Sequence, residues 1–418
     1  MLEDERKVLD ALDIDGMVRF LRELISVPSV GGEETEAQRL VADKLNVLGF
    51  EVDVWDIDFD SARRHPSFSM GIERMEGLGV VGSIGGSSGP SLILNGHIDV
   101  VSSGDESNWR YPPWSGEVAN GTVYGRGSAD MKGGLCCAIY AIKAIMDAGV
   151  KLRGRLSIES AIGEEDGGVG TLATVMRGYR ADGAVIMEPT ELRVIAAQAG
   201  ALAFRVNVQG KSAHACMREE GVNAIEKFIK LHEALKGLEA ERNADIDDPL
   251  FRRYRLPYPL NIGKVQGGNW PGTVAESLSF EGRIGVPFGE TVQEARVALE
   301  HAVSRAAESD PWLSTHPPKV DWIGYQFRPS RIPTDHPIVK TVAGSLEDVS
   351  GENAEIEGVT YSSDMSYLVA DARTPTCLFG PGDVRTAHSP NECVSVEDLV
   401  TAAKTLALTA LRFCGKKS

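Results

Sequence analysis

The hydrophobic pattern of the chain changes period several times. Val18, Phe20, Leu21, Leu24 and Ile25 recur at helical spacing, as do Ala37, Leu40, Val41 and Leu45, and Gly49 is a natural stop for the second helix. Phe50 to Ile57 reads as a strand, followed by strand-like runs Leu78 to Ile84 and Leu92 to Val101, the latter almost wholly apolar. A helix is predicted from about Met131 to Ala148, then strands Arg155 to Ile162 and Gly183 to Met187. Near-continuous apolar strands separated by helices imply a sheet buried on both faces.

From about residue 197 the period shortens. Leu202, Phe204, Val206 and Val208 alternate as in a half-exposed strand. A helix over 221–240, strands over 260–265 and 278–286, a helix over 290–308 and a strand over 320–327 complete the order β-α-β-β-α-β, a ferredoxin-like module. After Pro333 the earlier pattern resumes, with helix Pro337 to Ser350, strand Thr376 to Phe379 and a last helix from Val396 to about Phe413. The expected fold is α/β: a mixed, largely parallel sheet sandwiched by helices, with an inserted α+β ferredoxin-like domain. Residues 1–196 and 332–418 would form the larger domain and 197–331 the insert.

Composition narrows the function classes. At 418 residues the chain is long enough for two domains, and 42% hydrophobic with 25% charged residues is ordinary for a globular enzyme. A formal net charge of −17 argues against nucleic acid or an anionic membrane as a partner. The N-terminus shows no secretory signal, and no apolar run reaches the roughly 18 residues of a membrane span. The six cysteines are scattered, with no CxxC pair and no disulfide-like framework. A cytoplasmic location is the expectation.

Gly77-Leu-Gly79-Val-Val-Gly82 matches the GxGxxG dinucleotide fingerprint, which would suggest a dehydrogenase. That fingerprint works only where it leaves a strand and opens a helix. Here it lies inside a β-branched run and is followed by more glycine, Pro90 and another strand, so a β-hairpin is expected instead.

Five segments carry chemistry: Leu94-Asn-Gly-His97-Ile-Asp99, Gly125-Arg-Gly-Ser-Ala-Asp130-Met-Lys-Gly-Gly134, Gly163-Glu164-Glu165-Asp-Gly167, Met187-Glu188-Pro189-Thr190 and Thr386-Ala-His388-Ser-Pro-Asn391. Each alone has an ordinary reading. A single histidine at a strand end is usually a hydrogen-bonded structural residue, and the Glu-Glu-Asp run suits a solvated turn. Together they place imidazole and carboxylate groups at or just past the ends of apolar strands, where open α/β sheets bind ligands. Oxygen and nitrogen donors without thiolates suit zinc, cobalt or manganese.

These five motifs, in this order, resemble the co-catalytic zinc hydrolases of the aminoacylase, acetylornithine deacetylase, succinyl-diaminopimelate desuccinylase and glutamate carboxypeptidase family. The resemblance covers nearly the whole chain. It implies two divalent metal ions, with Asp130 bridging, His97 and Glu188 on one ion, and Glu165 and His388 on the other. Asp99 would orient the His97 imidazole, and Glu164 would be the general base of amide hydrolysis. In the insert, Ser212-Ala-His214 resembles the family segment whose histidine donates to the oxyanion, often in the partner subunit's site. Arg283, helped by Asn261, resembles the arginine that grips a substrate carboxylate. The family usually has Asp where Glu281 stands and often Asn-x-Val-Pro where this chain has Asn269-Trp-Pro-Gly272, so the substrate contacts depart from the pattern. The implied substrate is an N-acyl amino acid or similar small amide with a carboxylate, the alternative a dipeptide or a peptide C-terminus. A homodimer through the insert is implied as well. A non-catalytic binding protein on the same fold would have lost a ligand or the base, and none is missing.

Overall fold

The structure is a computed structural model in which residues 1–417 are described. The chain divides into two compact units. The first comprises Met1–Ala197, Arg331–Gly358 and the C-terminal stretch from Ser363; the second is Gln198–Ser330 with Val359–Ser362.

The first unit is built on a nine-stranded mixed sheet. Its strands follow the order Glu51–Asp56, Leu78–Gly85, Arg155–Ala161, Leu92–His97, Gly183–Ile186, Thr376–Leu378, Val194–Gln198 and Ser330–Arg331, with Ile356–Val359 also pairing to Val194–Gln198. The four strands from Arg155–Ala161 to Thr376–Leu378 run parallel, and the pairs flanking them are antiparallel. "Largely parallel" therefore describes the centre of the sheet. That centre is buried along nearly its whole length, which explains its unbroken apolar text.

Alternation along one strand shows how helices cover both faces. Asn95 donates to the Thr171 hydroxyl on helix Val169–Arg177. A Cβ on the next residue, Gly96, would instead meet Met131 and be 3.6 Å from Leu135 of helix Lys132–Asp147. Successive residues of a strand face opposite ways, so these two helices lie on opposite faces. Helix Lys132–Asp147 is buried almost all round, packed by helices Ile14–Ser26 and Val396–Cys414. Helix Thr35–Leu48 ends on Gly49 at φ 87°, the left-handed stop that a glycine there supplies.

One expectation fails. The strand holding Gly79 and Gly82 does not form a hairpin with Leu92–His97. It pairs antiparallel with Glu51–Asp56 and Arg155–Ala161, and the latter strand lies between the two. The glycines are small for a packing reason: a Cβ on Gly79 would strike the Trp55 ring at 2.2 Å. No helix opens after them, so the dinucleotide geometry is absent.

The second unit is a four-stranded antiparallel sheet in the order Leu260–Gly267, Ser277–Val286, Gly200–Gln209, Lys319–Phe327, with helices Ala224–Asn243 and Val292–Glu308. In chain order its strands stand 2-3-1-4, the ferredoxin-like arrangement. Leu202, Phe204, Val206 and Val208 are all buried, against Leu231 and Leu235 of one helix and Leu299 and Val303 of the other. The period-2 alternation thus marks the helix-covered face. Several short elements went unread in the sequence, among them helices Glu3–Asp10 and Val169–Arg177, strands Val194–Gln198 and Ile356–Val359, and a three-stranded sheet of Glu117–Ala119, Thr122–Tyr124 and Cys393–Ser395.

Candidate active site

The four parallel strands point their carboxyl ends to one edge of the sheet, and four of the five motifs follow from them, while the Asp130 motif follows strand Thr122–Tyr124 of the three-stranded sheet. His97 is the last residue of its strand, Glu164 and Glu165 sit in the turn after Arg155–Ala161, Glu188 follows Gly183–Ile186, and His388 lies in the loop after Thr376–Leu378. Asp130 stands in the turn that opens helix Lys132–Asp147.

The structure brings these six side chains together. His97 Nε2 lies 3.1 Å from Asp130 Oδ1, and His388 Nε2 lies 3.5 Å from Asp130 Oδ2. One carboxylate thus presents a different oxygen to each imidazole. His388 Nε2 is 2.9 Å from Glu165 Oε2. Glu188 and Glu164 each place an oxygen 4.0 Å from His97 Nε2. Two donor groups have ligand atoms within 4.8 Å of one another: His97 with Glu164 and Glu188, and His97 with Asp130 and Glu165. Glu164 therefore stands as near His97 as Glu188 does, a closeness that the sequence could not reveal.

Asp99, expected to orient the His97 imidazole, lies against its Nδ1. Its backbone carbonyl takes the His97 Nδ1 contact at 2.9 Å, while its carboxylate oxygen lies 3.7 Å from that nitrogen. The two carboxylate oxygens instead accept the backbone N–H groups of Glu164, at 3.1 Å, and Glu165, at 3.0 Å. Asp99 therefore fixes the turn that aims both glutamates. The same turn is held by buried Arg74, which donates to both oxygens of Asp166 at 2.7 and 3.0 Å and to Glu34 at 3.0 Å. Tyr367 donates its hydroxyl to the Gly167 carbonyl. Arg74, Asp166 and Glu34 were not singled out from sequence; an arginine among loop residues gives no periodic signal.

Crowding sets the electrostatics. Burial raises the Glu164 and Glu188 carboxyls well above their ordinary range, opposed by the His97 charge and reinforced by neighbouring carboxylates. Burial also opposes a charge on His97, but the Asp130 contact and the charges of Glu188, Asp99 and Glu164 outweigh it and hold His97 well above its usual value. The Glu165 contact pushes His388 up to about 9. Glu188 Oε1 is buried with no hydrogen-bond partner. Four carboxylates and two imidazoles packed together, with an orphaned carboxylate oxygen among them, fit cations held by nitrogen and oxygen donors.

The remaining candidates lie in the second unit. Arg283 faces Asn261 across antiparallel strands. Its Nη2 donates to the Thr360 carbonyl at 3.3 Å, its Nε is buried without a partner, and burial lowers its pKa. No carboxylate pairs with it among the described residues, which leaves a desolvated fork suited to an anion. Glu281 is not part of that fork; it pairs with Arg205 at 2.7 Å. His214 is exposed, and its Nδ1 accepts the Cys216 N–H at 3.2 Å at the start of a short 3-10 turn. Trp270, in the segment that departs from the family pattern, is 70% exposed.

Comparison with known proteins places the chain in a family. Residues 93–412 match the model of peptidase family M20/M25/M40. An N-formyl-4-amino-5-aminomethyl-2-methylpyrimidine deformylase of Bacillus subtilis is 30% identical over 96% of this chain and 95% of its own. An acetylornithine deacetylase of Proteus mirabilis is 27% identical over 95% of this chain and 96% of its own. A structure of the di-peptidase Dug1p from Saccharomyces cerevisiae superposes with a TM-score of 0.79 at 16% identity, covering 98% of each chain. The chain belongs to peptidase family M20/M25/M40 and is a metal-dependent hydrolase of amide bonds.

Proposed function

We propose that this hydrolase removes the acyl group from an N-acyl amino acid or a similar small amide, using two divalent metal ions, zinc foremost. The observation that supports this best is Asp130, whose two oxygens face His97 and His388 separately. His97 and Glu188 would hold one ion, Glu165 and His388 the other, and Asp130 would lie between. When bound, the ions would polarise the amide carbonyl and acidify the attacking water.

Glu164 would do the proton work. Set beside the cluster, it would take a proton from the attacking water and pass that proton to the leaving nitrogen. Asp99 would keep Glu164 aimed through the backbone N–H it accepts. Arg283 and Asn261 would bind a substrate carboxylate, and His214 would donate to the tetrahedral oxyanion, in its own or a partner's site. The second unit would then be lid and dimer surface, and the enzyme a cytoplasmic homodimer that needs neither nucleic acid nor membrane. No helix of the described residues is long and apolar enough to cross a membrane.

A second reading has its own support. The deformylase similarity at 30% identity points to a formyl group as the acyl portion, and the likeness to a dipeptidase concerns the fold alone. A panel of N-formyl, N-acetyl and N-succinyl amino acids, an N-formyl aminopyrimidine and simple dipeptides separates these. Turnover of an N-acyl amino acid above the rest is expected; turnover confined to dipeptides would defeat the deacylase assignment.

A further inference from the structure

We infer that Glu392 is a positioning residue that sets the metal-binding geometry by joining the Asp130 turn to the His388 loop. This inference rests on the metal-site reading above.

Glu392 stands four residues after His388 and is fully buried. Its Oε1 accepts the backbone N–H groups of Ala129 and of Asp130 itself, both at 3.0 Å. Its Oε2 accepts from Arg126 Nη1 at 2.6 Å. Its backbone carbonyl accepts the Gly125 N–H at 3.0 Å. One residue of the His388 loop thus holds the turn carrying Asp130 at four points. The next residue back fastens the same loop to another segment: Asn391 Oδ1 accepts the Arg110 N–H at 2.6 Å.

The His388 loop needs such a hold. His388 and Asn391 both sit in the left-handed region, at φ 56° and 64°, which is uncommon for non-glycine residues, although asparagine and histidine enter it more readily than most. The His388 side chain is about half exposed, so packing alone does not fix it. A metal site tolerates only a few tenths of an ångström in its ligand distances, and Asp130 and His388 come from distant parts of the sequence. Glu392 joins the two through the backbone of the Asp130 turn, beside the side-chain contact of His388 with Asp130.

The chemistry also argues for a role beyond filling space. A buried ion pair such as Arg126–Glu392 can often be exchanged for apolar residues at little cost in stability. Here the carboxylate does what an apolar side chain cannot: it fixes two consecutive backbone N–H groups through charge-assisted bonds. Arg126 neutralises it and in turn donates to the Ser102 carbonyl and lies over the Trp109 ring.

The test compares two double variants in one charge-free background, Arg126→Met/Glu392→Gln and Arg126→Met/Glu392→Leu. Glutamine keeps an oxygen for the two N–H groups and leucine does not, while size and charge are matched. Apo proteins, checked for folding by circular dichroism, are titrated with zinc against a chelator, and kcat and KM are measured after loading. The leucine protein is expected to bind zinc about 10- to 100-fold more weakly, with kcat reduced and KM little changed; the glutamine protein is expected to stay near wild type. Equal zinc affinity and kcat in the two would overturn the inference. If the leucine protein does not fold, Glu392→Asp keeps the negative charge beside Arg126 but withdraws the carboxylate by one methylene. Weakened zinc binding then supports the role, and wild-type affinity contradicts it. A wild-type chain that binds no zinc would defeat the metal-site reading itself, whereas equal binding by wild type and variants defeats only the role of Glu392.

Discussion

Asp130 and Asp99 show how much one carboxylate can organise. Asp130 divides its oxygens between two histidines, and Asp99 divides its own between the N–H groups of two glutamates. Glu164 is thereby held beside the cluster with its carboxyl raised by burial. Glu164→Gln is expected to lower kcat by about 10²- to 10⁴-fold while leaving bound metal unchanged. Steady-state kinetics with elemental analysis of the same sample checks this; a glutamine variant of full activity would remove Glu164 from the mechanism. These residue identities were legible because each stands in a short, glycine-punctuated motif at a strand end. The division of labour inside Asp99 was not: whether a carboxylate or its own backbone carbonyl reaches an imidazole depends on the path of the chain after the strand.

Among the elements, periodicity succeeded where a helix or strand has one clear buried face. The second unit shows this well, since Leu202, Phe204, Val206 and Val208 mark its core face. It failed for helix Val169–Arg177, whose short run is buried almost throughout and follows two glycines, so that no amphipathic stripe develops. It also failed for the pairing of Leu78–Gly85, because a strand's neighbours are not written in its own sequence. Asp310 gives a test at this scale. Burial pushes its carboxyl up, but Lys227 and the backbone N–H groups of Leu313 and Trp312 outweigh burial and hold it below its ordinary 3.8. Lys227 belongs to helix Ala224–Asn243, and the ion pair of 2.9 Å ties that helix to the turn after Val292–Glu308. A lowered folded pKa means stabilisation present above the ordinary value and lost as pH falls through the folded one. Asp310→Asn is therefore expected to cost about 1 kcal/mol at neutral pH and to weaken the fall of stability on acidification, measured by urea unfolding at pH 7 and pH 3. Equal losses of stability by variant and wild type between those two pH values would contradict the assignment.

For the molecule as a whole, the larger unit carries the cluster of His97, Asp130, Glu165, Glu188 and His388, and the smaller one carries Arg283. In the sequence, the period changes near residue 197 and again after Pro333. That pattern could not announce that Val359–Ser362 group with the smaller unit, because four residues carry no period of their own. The smaller unit also exposes Ile225 and Ile229 one turn apart on a helix, and Val265 on an edge strand. Apolar groups so placed suit a second copy of the chain. Light scattering at micromolar concentration is expected to give twice the mass of one chain, and a monomer mass would count against the dimer.

The claim on which the rest depends is that His97, Asp130, Glu165, Glu188 and His388 hold two metal ions that amide hydrolysis requires. Its most direct test is to strip the purified protein with a chelator and add zinc back stepwise, reading bound metal and hydrolysis of an N-acyl amino acid together. The account predicts no activity in the stripped protein and recovery that reaches its plateau at two equivalents. Full activity in metal-free protein, or saturation of binding and activity at a single equivalent, would contradict it.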